Sequence, residues 1–364
     1  MMKIVTVVGA RPQFIKAAPV SRALASGGQV REIMVHTGQH YDDNLSAVFF
    51  RELDIPAPAR NLGAGSGSHG RQTARALEGV EDVLLEEKPD CVLVYGDTNS
   101  TLAGALAAAK LRIPVAHVEA GLRSFNRAMP EEINRVVTDH LSAWLYAPTA
   151  QAVTHLAAEG IAEERVKLVG DVMFDAALQS AAAAGTPRLD EIGLTAADYV
   201  LATIHRAENV DDPHRLQAIM QGLDAASNDI EIVLPLHPRT RKAIAAYGLR
   251  IQSPRLRLID PVGYLEMVAL ERDARLVVTD SGGVQKEAFF HRVPCLTLRA
   301  ETEWTELVDA GWNVLAFPAS AGAVETAVRS ALARAKPAEW PQLYGNGNAA
   351  RLIADHLATL AGRC

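Results

Sequence analysis

The sequence predicts an α/β fold built from two doubly wound, Rossmann-like domains. Short apolar runs alternate with helical stretches along the chain, a pattern typical of parallel sheets covered by helices on both faces. The alternation starts again after an alanine-rich helix near residues 176–184 and a Gly-Thr-Pro break, and 364 residues exceed what one core usually holds. We therefore expect an N-terminal domain over residues 1–172, completed by a C-terminal helix over 349–364, and a second domain over 173–348. The active site is expected in the cleft between the two domains.

The apolar runs predict the strands of each domain. In the first domain they lie at residues 4–8, 32–35, 91–94, 115–118 and 145–147. In the second domain they lie at residues 199–204, 230–234, 256–259, 276–279 and 295–298. Residues 101–110 predict a helix, and residues 349–360 predict a final amphipathic helix after a Gly-Asn-Gly-Asn turn.

Composition excludes several functional classes. A net charge of -7 gives no electrostatic footprint for nucleic acid, and no apolar run is long enough to span a membrane. The N-terminus leads directly into a strand, without the cleavage-site pattern of a signal peptide. The three cysteines, Cys91, Cys295 and Cys364, fit neither a disulfide framework nor a zinc site. We therefore expect a cytoplasmic protein that binds no metal and has neither nucleic acid nor a membrane as a partner.

Residues 117–135 place three carboxylates and three arginines at a strand end, in a loop and at a helix start. Glu119 follows the strand directly, and open α/β sheets bind ligands at the carboxyl ends of their strands. Glu131 lies in the first turn of the predicted helix, and Arg135, four residues later, shares its face. This arrangement predicts proton transfer beside an anionic substrate. An ordinary solvated helix start with one surface ion pair stays open as the alternative, because such pairs are common.

The turn after the first strand predicts an anion site. Arg11 and Lys16 flank the N-terminus of the following helix, where backbone N–H groups and the helix dipole favour negative charge. The turn lacks the G-x-G-x-x-G fingerprint of dinucleotide-binding domains, which weighs against a nicotinamide mechanism. A plain strand-to-helix turn is the alternative interpretation.

Turns after other strands carry further candidates. Asp97 follows a strand of the first domain and can reach into the cleft. In the second domain, Gly282 and Gly283 follow a strand and let the backbone approach a diphosphate. Glu287, one helical turn later, can accept hydrogen bonds from ribose hydroxyls.

A histidine ends another strand of the second domain. His205 lies next to Arg206 in the sequence. A lone histidine is more often a structural group than a catalyst. Only the position of His205 at a strand end and its neighbours favour a catalytic role.

With these residues in view, the chain resembles the non-hydrolysing UDP-N-acetylglucosamine 2-epimerases. The likeness runs from residue 3 to about the last helix. It rests on several long motifs in the right order: GARPQFIKAAP, GDTNSTLAGALAA, HVEAGLRS, MPEEINR, HRAEN and TDSGGVQKEA. The resemblance implies a glycosyltransferase-B-like fold and a homodimer. It also implies that a UDP-2-acetamido sugar is interconverted with its C2 epimer without a cofactor.

The resemblance assigns roles to residues of this chain. By motif, the catalytic cluster consists of Asp97, Glu119, Glu131, Arg135 and His205. The nucleotide-binding positions are Arg11, Lys16, Ser281, Gly282, Gly283 and Glu287. Arg206 is expected to join His205 in stabilising the departing diphosphate.

An elimination mechanism follows from the resemblance. A carboxylate removes the C2 proton while the C1–O bond to UDP breaks, and the resulting 2-acetamidoglucal takes UDP back with a proton delivered to the opposite face. Asp97, Glu119 and Glu131 are candidates for these acid/base roles, and the sequence does not assign one to each face. A UDP-sugar-dependent glycosyltransferase of the same fold, a hydrolysing 2-epimerase and a non-catalytic sugar-nucleotide sensor are the alternatives. The transferase would not require acid/base groups on both faces of C2.

Other segments are similar to one subgroup of the family. Four motifs resemble those of members that act on UDP-2,3-diacetamido-2,3-dideoxyglucuronate: ARPQFIKA, HTGQHYD, RSFNRAMPEE and ETEW. Arg123 and Arg127 lie in the loop between two catalytic carboxylates, where the C6 carboxylate of this sugar can be paired. Residues 37–42 and 299–306 depart from motifs of many family members, and the first departure removes the motif that helps to bind an activating second UDP-sugar. The product is expected to serve precursor synthesis for cell-surface polysaccharide or lipopolysaccharide.

Overall fold

Two units divide the chain. The residues that the computed structural model describes are 1–39, 57–183 and 193–360. The first unit comprises Met1–Gln179 and Gln342–Cys364, and the second comprises Ser180–Pro341. The domain borders expected from the sequence, after residues 172 and 348, remain predictions, and the Gly-Thr-Pro break lies outside the described residues.

The first unit contains a seven-stranded parallel sheet. Its strands are β1 (Met2–Val8), β2 (Val30–His36), β3 (Arg60–Asn61), β4 (Cys91–Tyr95), β5 (Val115–Val118), β6 (Trp144–Ala147) and β7 (Val166–Leu168). They lie in the order β3-β2-β1-β4-β5-β6-β7, and every neighbouring pair is parallel. The predicted strands are confirmed, with small differences at their ends. The two edge strands, β3 and β7, are additional to the sequence prediction.

Helices connect these strands. They are α1 (Arg11–Gly27), α2 (His69–Glu87), α3 (Asn99–Lys110), α4 (Pro130–Leu141), α5 (Ala150–Ala158) and α6 (Val172–Ala183). A 3₁₀ turn, Glu163–Arg165, precedes β7. Thr98 caps α3 by accepting from the Thr101 backbone N–H, and Pro130 occupies the first turn of α4, where its missing N–H costs nothing.

The second unit repeats the architecture with a six-stranded sheet. Its strands are β8 (Tyr199–Thr203), β9 (Glu231–Pro235), β10 (Leu256–Ile259), β11 (Leu276–Thr279), β12 (Cys295–Thr297) and β13 (Asn313–Leu315). Their order is β10-β9-β8-β11-β12-β13, again all parallel. The predicted strands are confirmed here too, and β13 is additional.

The helices of the second unit alternate with its strands. They are α7 (Ala207–Val210), α8 (Pro213–Ala226), α9 (Pro238–Ala246), α10 (Tyr264–Arg272), α11 (Gly282–Phe290), α12 (Thr305–Asp309) and α13 (Ala321–Ala333). The last helix, α14 (Ala349–Leu360), returns to the first unit and packs against α1. Its predicted bounds of 349–360 are confirmed.

Burial follows from this doubly wound arrangement. Every residue of β4 and of β8 is buried, because helices cover both faces of the central strands. Apolar clusters lie on the faces of each sheet. None of the helices in the described part of the chain combines the length and apolar character needed to span a bilayer.

Strand order sets the position of the functional turns. The chain moves outward from β1 through β2 to β3 and then returns to the other side of β1 with β4. The same reversal occurs between β8 and β11 in the second unit. Because adjacent connections leave toward opposite faces at such a reversal, the carboxyl ends of the strands there border a crevice in which this fold class binds ligands.

The turn that follows β1 depends on a glycine. A Cβ atom added to Gly9 would overlap the hydroxyl oxygens of Ser100 and Thr37. Those two hydroxyls are buried and lie 2.7 Å apart in a hydrogen bond. Gly9 therefore allows the end of β1 to approach the start of α3.

We predict that Gly9→Ala lowers the free energy of unfolding by about 2–3 kcal/mol, since the added methyl must separate a buried hydrogen-bonded pair. Gly27→Ala is the matched control: Gly27 lies in α1 with open space around its Cα, so alanine should be neutral or stabilise by up to about 1 kcal/mol. Urea unfolding of the two variants measures both effects. Equal stability of the two variants would contradict the crowding argument.

Candidate active site

The charged residues of the first unit meet at the carboxyl ends of β4 and β5. Glu119 directly follows β5, and its carboxylate forms an ion pair with Lys16 of α1. Both side chains are mostly buried, 8% and 13% exposed. Glu119 and Lys16, separated by 103 positions in the sequence, are therefore brought into direct contact.

The backbone around Glu119 is unusual. Glu119 has a φ of 72°, in the left-handed region that favours glycine. The N–H groups of Glu119 and Ala120 both donate to the Tyr146 carbonyl of β6, at 3.1 Å each. Since a non-glycine residue is strained in this region, these bonds to the neighbouring strand hold a conformation that the local sequence alone disfavours.

Gly96 makes room for this ion pair. It follows β4 with a φ of 63°, and a Cβ there would lie 3.1 Å from Lys16 Nζ and 3.2 Å from Glu119 Oε2. A side chain at this position would therefore be strained and would press on both charged groups.

Asp97 forms a second ion pair with α4. The Arg135 guanidinium donates to Asp97 Oδ2 at 2.5 Å and to Glu132 Oε2 at 3.0 Å. Asn134 donates to the Asp97 backbone carbonyl at 2.9 Å. One turn of α4 thus holds both the backbone and the carboxylate of Asp97.

The partner of Arg135 differs from the sequence prediction. The sequence pairs Arg135 with Glu131, whereas the structure pairs it with Glu132. Glu132 is buried because its carboxylate turns inward and accepts the backbone N–H groups of Ser124 and Phe125, both at 2.9 Å. Within the described residues, the Glu131 side chain makes no ion pair and is half-buried.

The pKa of Glu132 reflects these contacts. Burial raises this pKa, but the backbone N–H groups of Ser124 and Phe125, the Ser124 hydroxyl and Arg135 together outweigh it. The net result is a pKa below the usual range of a glutamate. Glu132 is therefore an anion that orders the loop before α4.

The role expected of Arg123 is wrong. Its side chain is 1% exposed and lies 2.7 Å from Asp139 Oδ2 and 2.6 Å from Glu159 Oε1. Both carboxylates raise the pKa of the guanidinium, against the effect of burial. A buried arginine saturated by two carboxylates cannot bind a substrate carboxylate. Arg127, in contrast, is exposed and remains available to an anion.

The second unit builds its turn around a buried aspartate. Asp280 follows β11 and is fully buried. Its carboxylate accepts the backbone N–H groups of His205 and Arg206 and the Asn209 side chain, all at 3.1 Å. The His205 ring is 40% exposed, with Nδ1 3.6 Å from Asp280 Oδ1. Asp280 thus fixes the turn that carries His205 and Arg206.

The glycine-rich turn begins α11 as predicted. Ser281 occupies the N-cap position and Gly282 is the first helical residue. A Cβ on Gly282 would lie 2.5 Å from Glu303 Oε1, while a Cβ on Gly283 would make only ordinary contacts, 3.9 Å from Glu287 Oε2 and Ser281 Oγ. Gly282 therefore provides room for Glu303, and Gly283 leaves the backbone accessible.

The segment ETEW, whose sequence resembles one subgroup of the family, contacts the glycine-rich turn. Trp304 Nε1 donates to the Gly282 carbonyl at 2.9 Å, and Lys286 Nζ lies 4.2 Å from the Trp304 ring centroid. Glu303 lies 2.9 Å from Arg299 and 3.5 Å from Arg206. The segment therefore supports the glycine-rich turn through Trp304, and its Glu303 pairs with Arg206 on the turn after β8.

Some predicted residues are not described. The side chain of Arg11 and residues His40, Tyr41 and Asp42 lie outside the described part of the chain, so their roles remain predictions. The roles assigned to the remaining site residues also stay predictions, although the geometry brings Lys16 to Glu119 and Asp97 to Arg135.

Sequence reasoning missed the residues that hold the site. Asp280 carried a signal, because it follows a buried strand as directly as Glu119 does. Gln13 carried none: it is buried, accepts the N–H groups of Gly9 and Ala10, and donates to the Tyr95 carbonyl. A glutamine in a helix shows no pattern from which such bonds could be inferred.

Comparison with known proteins gives a consistent result. Residues 22–358 match the protein family described as UDP-N-acetylglucosamine 2-epimerase. The chain is 53% identical to the UDP-2,3-diacetamido-2,3-dideoxy-D-glucuronate 2-epimerase of Pseudomonas aeruginosa, over 99% of this chain and 100% of that protein.

Solved structures similar to this chain come from the same family. The Methanocaldococcus jannaschii UDP-GlcNAc 2-epimerase in complex with UDP-GlcNAc and UDP has a TM-score of 0.87 and 44% identity, covering 98% of this chain and 100% of that one. The Neisseria meningitidis UDP-GlcNAc 2-epimerase bound to UDP-GlcNAc has a TM-score of 0.87 and 31% identity, with the same coverage. The predicted glycosyltransferase-B-like fold class is confirmed by these likenesses.

We predict that Glu132→Gln lowers the free energy of unfolding at pH 7 by about 1–3 kcal/mol, because charge-assisted hydrogen bonds are lost. The stabilisation by Glu132 is fully present above its unfolded pKa of about 4.3 and is lost as pH falls through its lower folded pKa. The difference between wild type and variant should therefore shrink between about pH 5 and pH 3.

Urea unfolding across this pH range measures the difference. Glu131→Gln, on the neighbouring position of the same helical turn, is the control and should change stability by no more than about 0.5 kcal/mol. A deficit in Glu132→Gln that does not change with pH would contradict the assignment of Glu132 as a buried anion.

Proposed function

The chain belongs to the UDP-N-acetylglucosamine 2-epimerase family, and we propose that its own substrate is UDP-2,3-diacetamido-2,3-dideoxyglucuronate. The enzyme is an isomerase of the non-hydrolysing kind. The observation that carries the proposed mechanism is that Asp97 and Glu119, after neighbouring strands, are each paired with a cation. We propose that these groups exchange protons with C2 during elimination and re-addition of UDP.

The charges around the carboxylates suit two different roles. Asp97 is ion-paired with Arg135 and Glu119 with Lys16, and we propose these two carboxylates as the groups that remove the proton. Glu131 makes no ion pair within the described residues, and we propose it as the group that delivers the proton to the other face. Epimerisation requires a base and an acid on opposite faces of the sugar, and this group of carboxylates supplies both kinds.

Lys16 links substrate binding to the activation of Glu119. In the structure Lys16 pairs with Glu119, and the diphosphate of a UDP-sugar is a competing anion. We infer that the diphosphate draws Lys16 away from Glu119 when substrate binds. The carboxylate would then be released from this ion pair at the moment the substrate arrives.

Departure of UDP needs positive charge in the second unit. Arg206 and His205 stand on the turn that Asp280 holds, so their positions are fixed before the diphosphate separates from C1. Preorganised donors of this kind stabilise developing charge without the cost of rearrangement. Glu303, 3.5 Å from Arg206, would compete with the diphosphate for this arginine.

The proposed sugar rests on two supports. The Pseudomonas aeruginosa relative, at 53% identity, is named for the diacetamido-glucuronate. In addition, Arg127 is an exposed cation in the loop between Glu119 and Glu131, where a C6 carboxylate can be paired. UDP-N-acetylglucosamine, named for the structural relatives, is the second candidate.

We further infer a homodimer in the cytoplasm whose product enters precursor synthesis for cell-surface polysaccharide, including lipopolysaccharide. The resemblance to the family supports the dimer and the pathway class. The absence of a disulfide pattern among the three cysteines supports the compartment. Light scattering of the purified protein measures the oligomeric state.

We predict that turnover in heavy water places deuterium at C2 of the product, because a carboxylate exchanges the abstracted proton with solvent. Proton NMR of the sugar measures the C2 signal directly. Retention of the original proton would exclude elimination through C2. Steady formation of UDP with free sugar would instead identify a hydrolysing epimerase.

We predict that Glu119→Gln and Asp97→Asn each lower kcat on the order of 10²–10⁴-fold, with UDP binding largely kept. The amides preserve shape but neither exchange protons nor carry charge. Glu86→Gln is the control, since Glu86 forms an exposed ion pair with Arg60 and should leave kcat unchanged. Near-wild-type rates for both active-site variants would remove these residues from the mechanism.

We predict that wild type prefers the diacetamido-glucuronate over UDP-N-acetylglucosamine in kcat/KM, and that Arg127→Ala lowers this preference by about 10- to 150-fold. A charge-assisted contact of about 1.5–3 kcal/mol corresponds to that range. Arg127→Lys, which keeps the charge, is the control and should retain most of the preference. A wild type that prefers UDP-N-acetylglucosamine would contradict the proposed sugar, whereas an unchanged preference in Arg127→Ala would contradict only the role of Arg127.

A further inference from the structure

A histidine that the proposed mechanism does not use contacts the turn that leads to Asp97. His117 belongs to β5 and is fully buried. Its Nδ1 lies 2.7 Å from Asp139 Oδ1, and its Nε2 lies 2.8 Å from the Gly96 carbonyl oxygen. The ring therefore spans from α4 to the turn that follows β4. We propose that His117 is a positioning residue that holds the peptide group before Asp97 in place for proton transfer; the inference rests on the function proposed above.

Both ring nitrogens of His117 face acceptors. The Gly96 carbonyl can only accept, so Nε2 carries a proton. Asp139 also accepts the Gly121 N–H at 3.1 Å and contacts Arg123 at 2.7 Å. Burial raises the pKa of Asp139, but His117 and Arg123 outweigh it and lower this pKa. A proton must lie between Asp139 Oδ1 and His117 Nδ1, since two lone pairs would otherwise face each other at 2.7 Å.

The charges around His117 are paired. Arg123 is a buried cation that contacts the Asp139 and Glu159 carboxylates, and His117 bonds Asp139 as well. A buried charge is costly unless it is paired and hydrogen-bonded, and each of these groups meets that requirement. The network therefore holds the His117 ring in one orientation beside the turn that leads to Asp97.

The bond to Gly96 bears directly on Asp97. The Gly96 carbonyl belongs to the peptide group that joins Gly96 to Asp97, so its direction sets the orientation of the Asp97 backbone. Gly96 can rotate more freely than other residues, and its φ of 63° needs fixed partners to persist. The Gly96 N–H is held by Val118 at 3.0 Å, and His117 holds the carbonyl.

Helix α4 thereby fixes Asp97 at three points. Asn134 binds the carbonyl of Asp97, Arg135 binds its carboxylate, and Asp139 acts through His117 on the preceding peptide. A base must lie within hydrogen-bonding reach of the group whose proton it removes, about 2.6–3.2 Å between heavy atoms, and a misplacement of about 1 Å can cost about 10²-fold in rate. Loss of the His117 contact should therefore reduce kcat rather than substrate binding.

Two amide substitutions separate the two hydrogen bonds. The Asn Nδ2 replaces Nδ1, so His117→Asn keeps the donor to Asp139 and loses the donor to Gly96. The Gln Nε2 replaces Nε2, so His117→Gln keeps the donor to Gly96 and loses the donor to Asp139. We expect His117→Asn to lose on the order of 10²-fold in kcat with KM and UDP binding unchanged, and His117→Gln to stay within about tenfold of wild type.

Stability measured on the same variants distinguishes positioning from a merely structural role. His117→Gln leaves Asp139 with less compensation, so it should be the less stable variant in urea although it is the more active one. A purely structural histidine would give activities that follow stability, with His117→Gln the weaker enzyme, and that order would overturn the proposal.

A double-mutant cycle tests whether His117 acts through Asp97. In an Asp97→Asn background, His117→Asn should cost little further activity, because the residue that it positions no longer transfers protons. Fully additive losses would overturn the proposal. If Asp97→Asn alone is as active as wild type, the proposed role of Asp97 fails, which is a different outcome from failure of His117.

A further variant tests the premise without touching a buried charge, should the His117 variants not fold. Asn134→Ala removes the contact to the Asp97 carbonyl and should lower kcat by about 10-fold or more, with UDP binding kept. An unchanged kcat in Asn134→Ala would show that the Asp97 backbone needs no fixing, and would overturn the inference.

Discussion

A buried polar side chain that hydrogen-bonds the turn after a strand is the interaction on which the site depends. In the first unit His117 binds the Gly96 carbonyl. Gln13 accepts the Gly9 N–H after β1 and donates to the Tyr95 carbonyl at the end of β4. In the second unit Asp280 binds the turn that carries His205. Each of these side chains is buried, so each bond forms in a medium that strengthens it and penalises its loss.

Parallel sheets create the need for these bonds. At the strand-order reversals after β1 and β8, the backbone leaves the sheet and its polar groups lose their ladder partners. Polar side chains that supply the missing partners also fix the turn before substrate binds. The same bonds therefore satisfy the backbone and place the charged groups, which is the form of preorganisation that catalysis requires.

The sequence predicts this fold well where burial is continuous. The central strands are apolar runs, and α14 is predicted with its observed bounds. The edge strands β3, β7 and β13 escape prediction because they are two or three residues long and partly exposed. Asp97 and Glu119 are predictable from their places after strands. The pairing of Arg135 with Glu132 rather than Glu131, and the burial of Arg123, depend on contacts between distant segments.

The protonation state of His117 is the most direct test of this account. Nitrogen-15 NMR of histidine-labelled protein, with His117→Gln used to assign the signal, reports whether each ring nitrogen carries a proton. The account predicts that Nε2 of His117 carries a proton at pH 7, because the Gly96 carbonyl 2.8 Å away can only accept. An unprotonated Nε2 would contradict it, since the hydrogen bond that holds the Gly96 turn would then be missing.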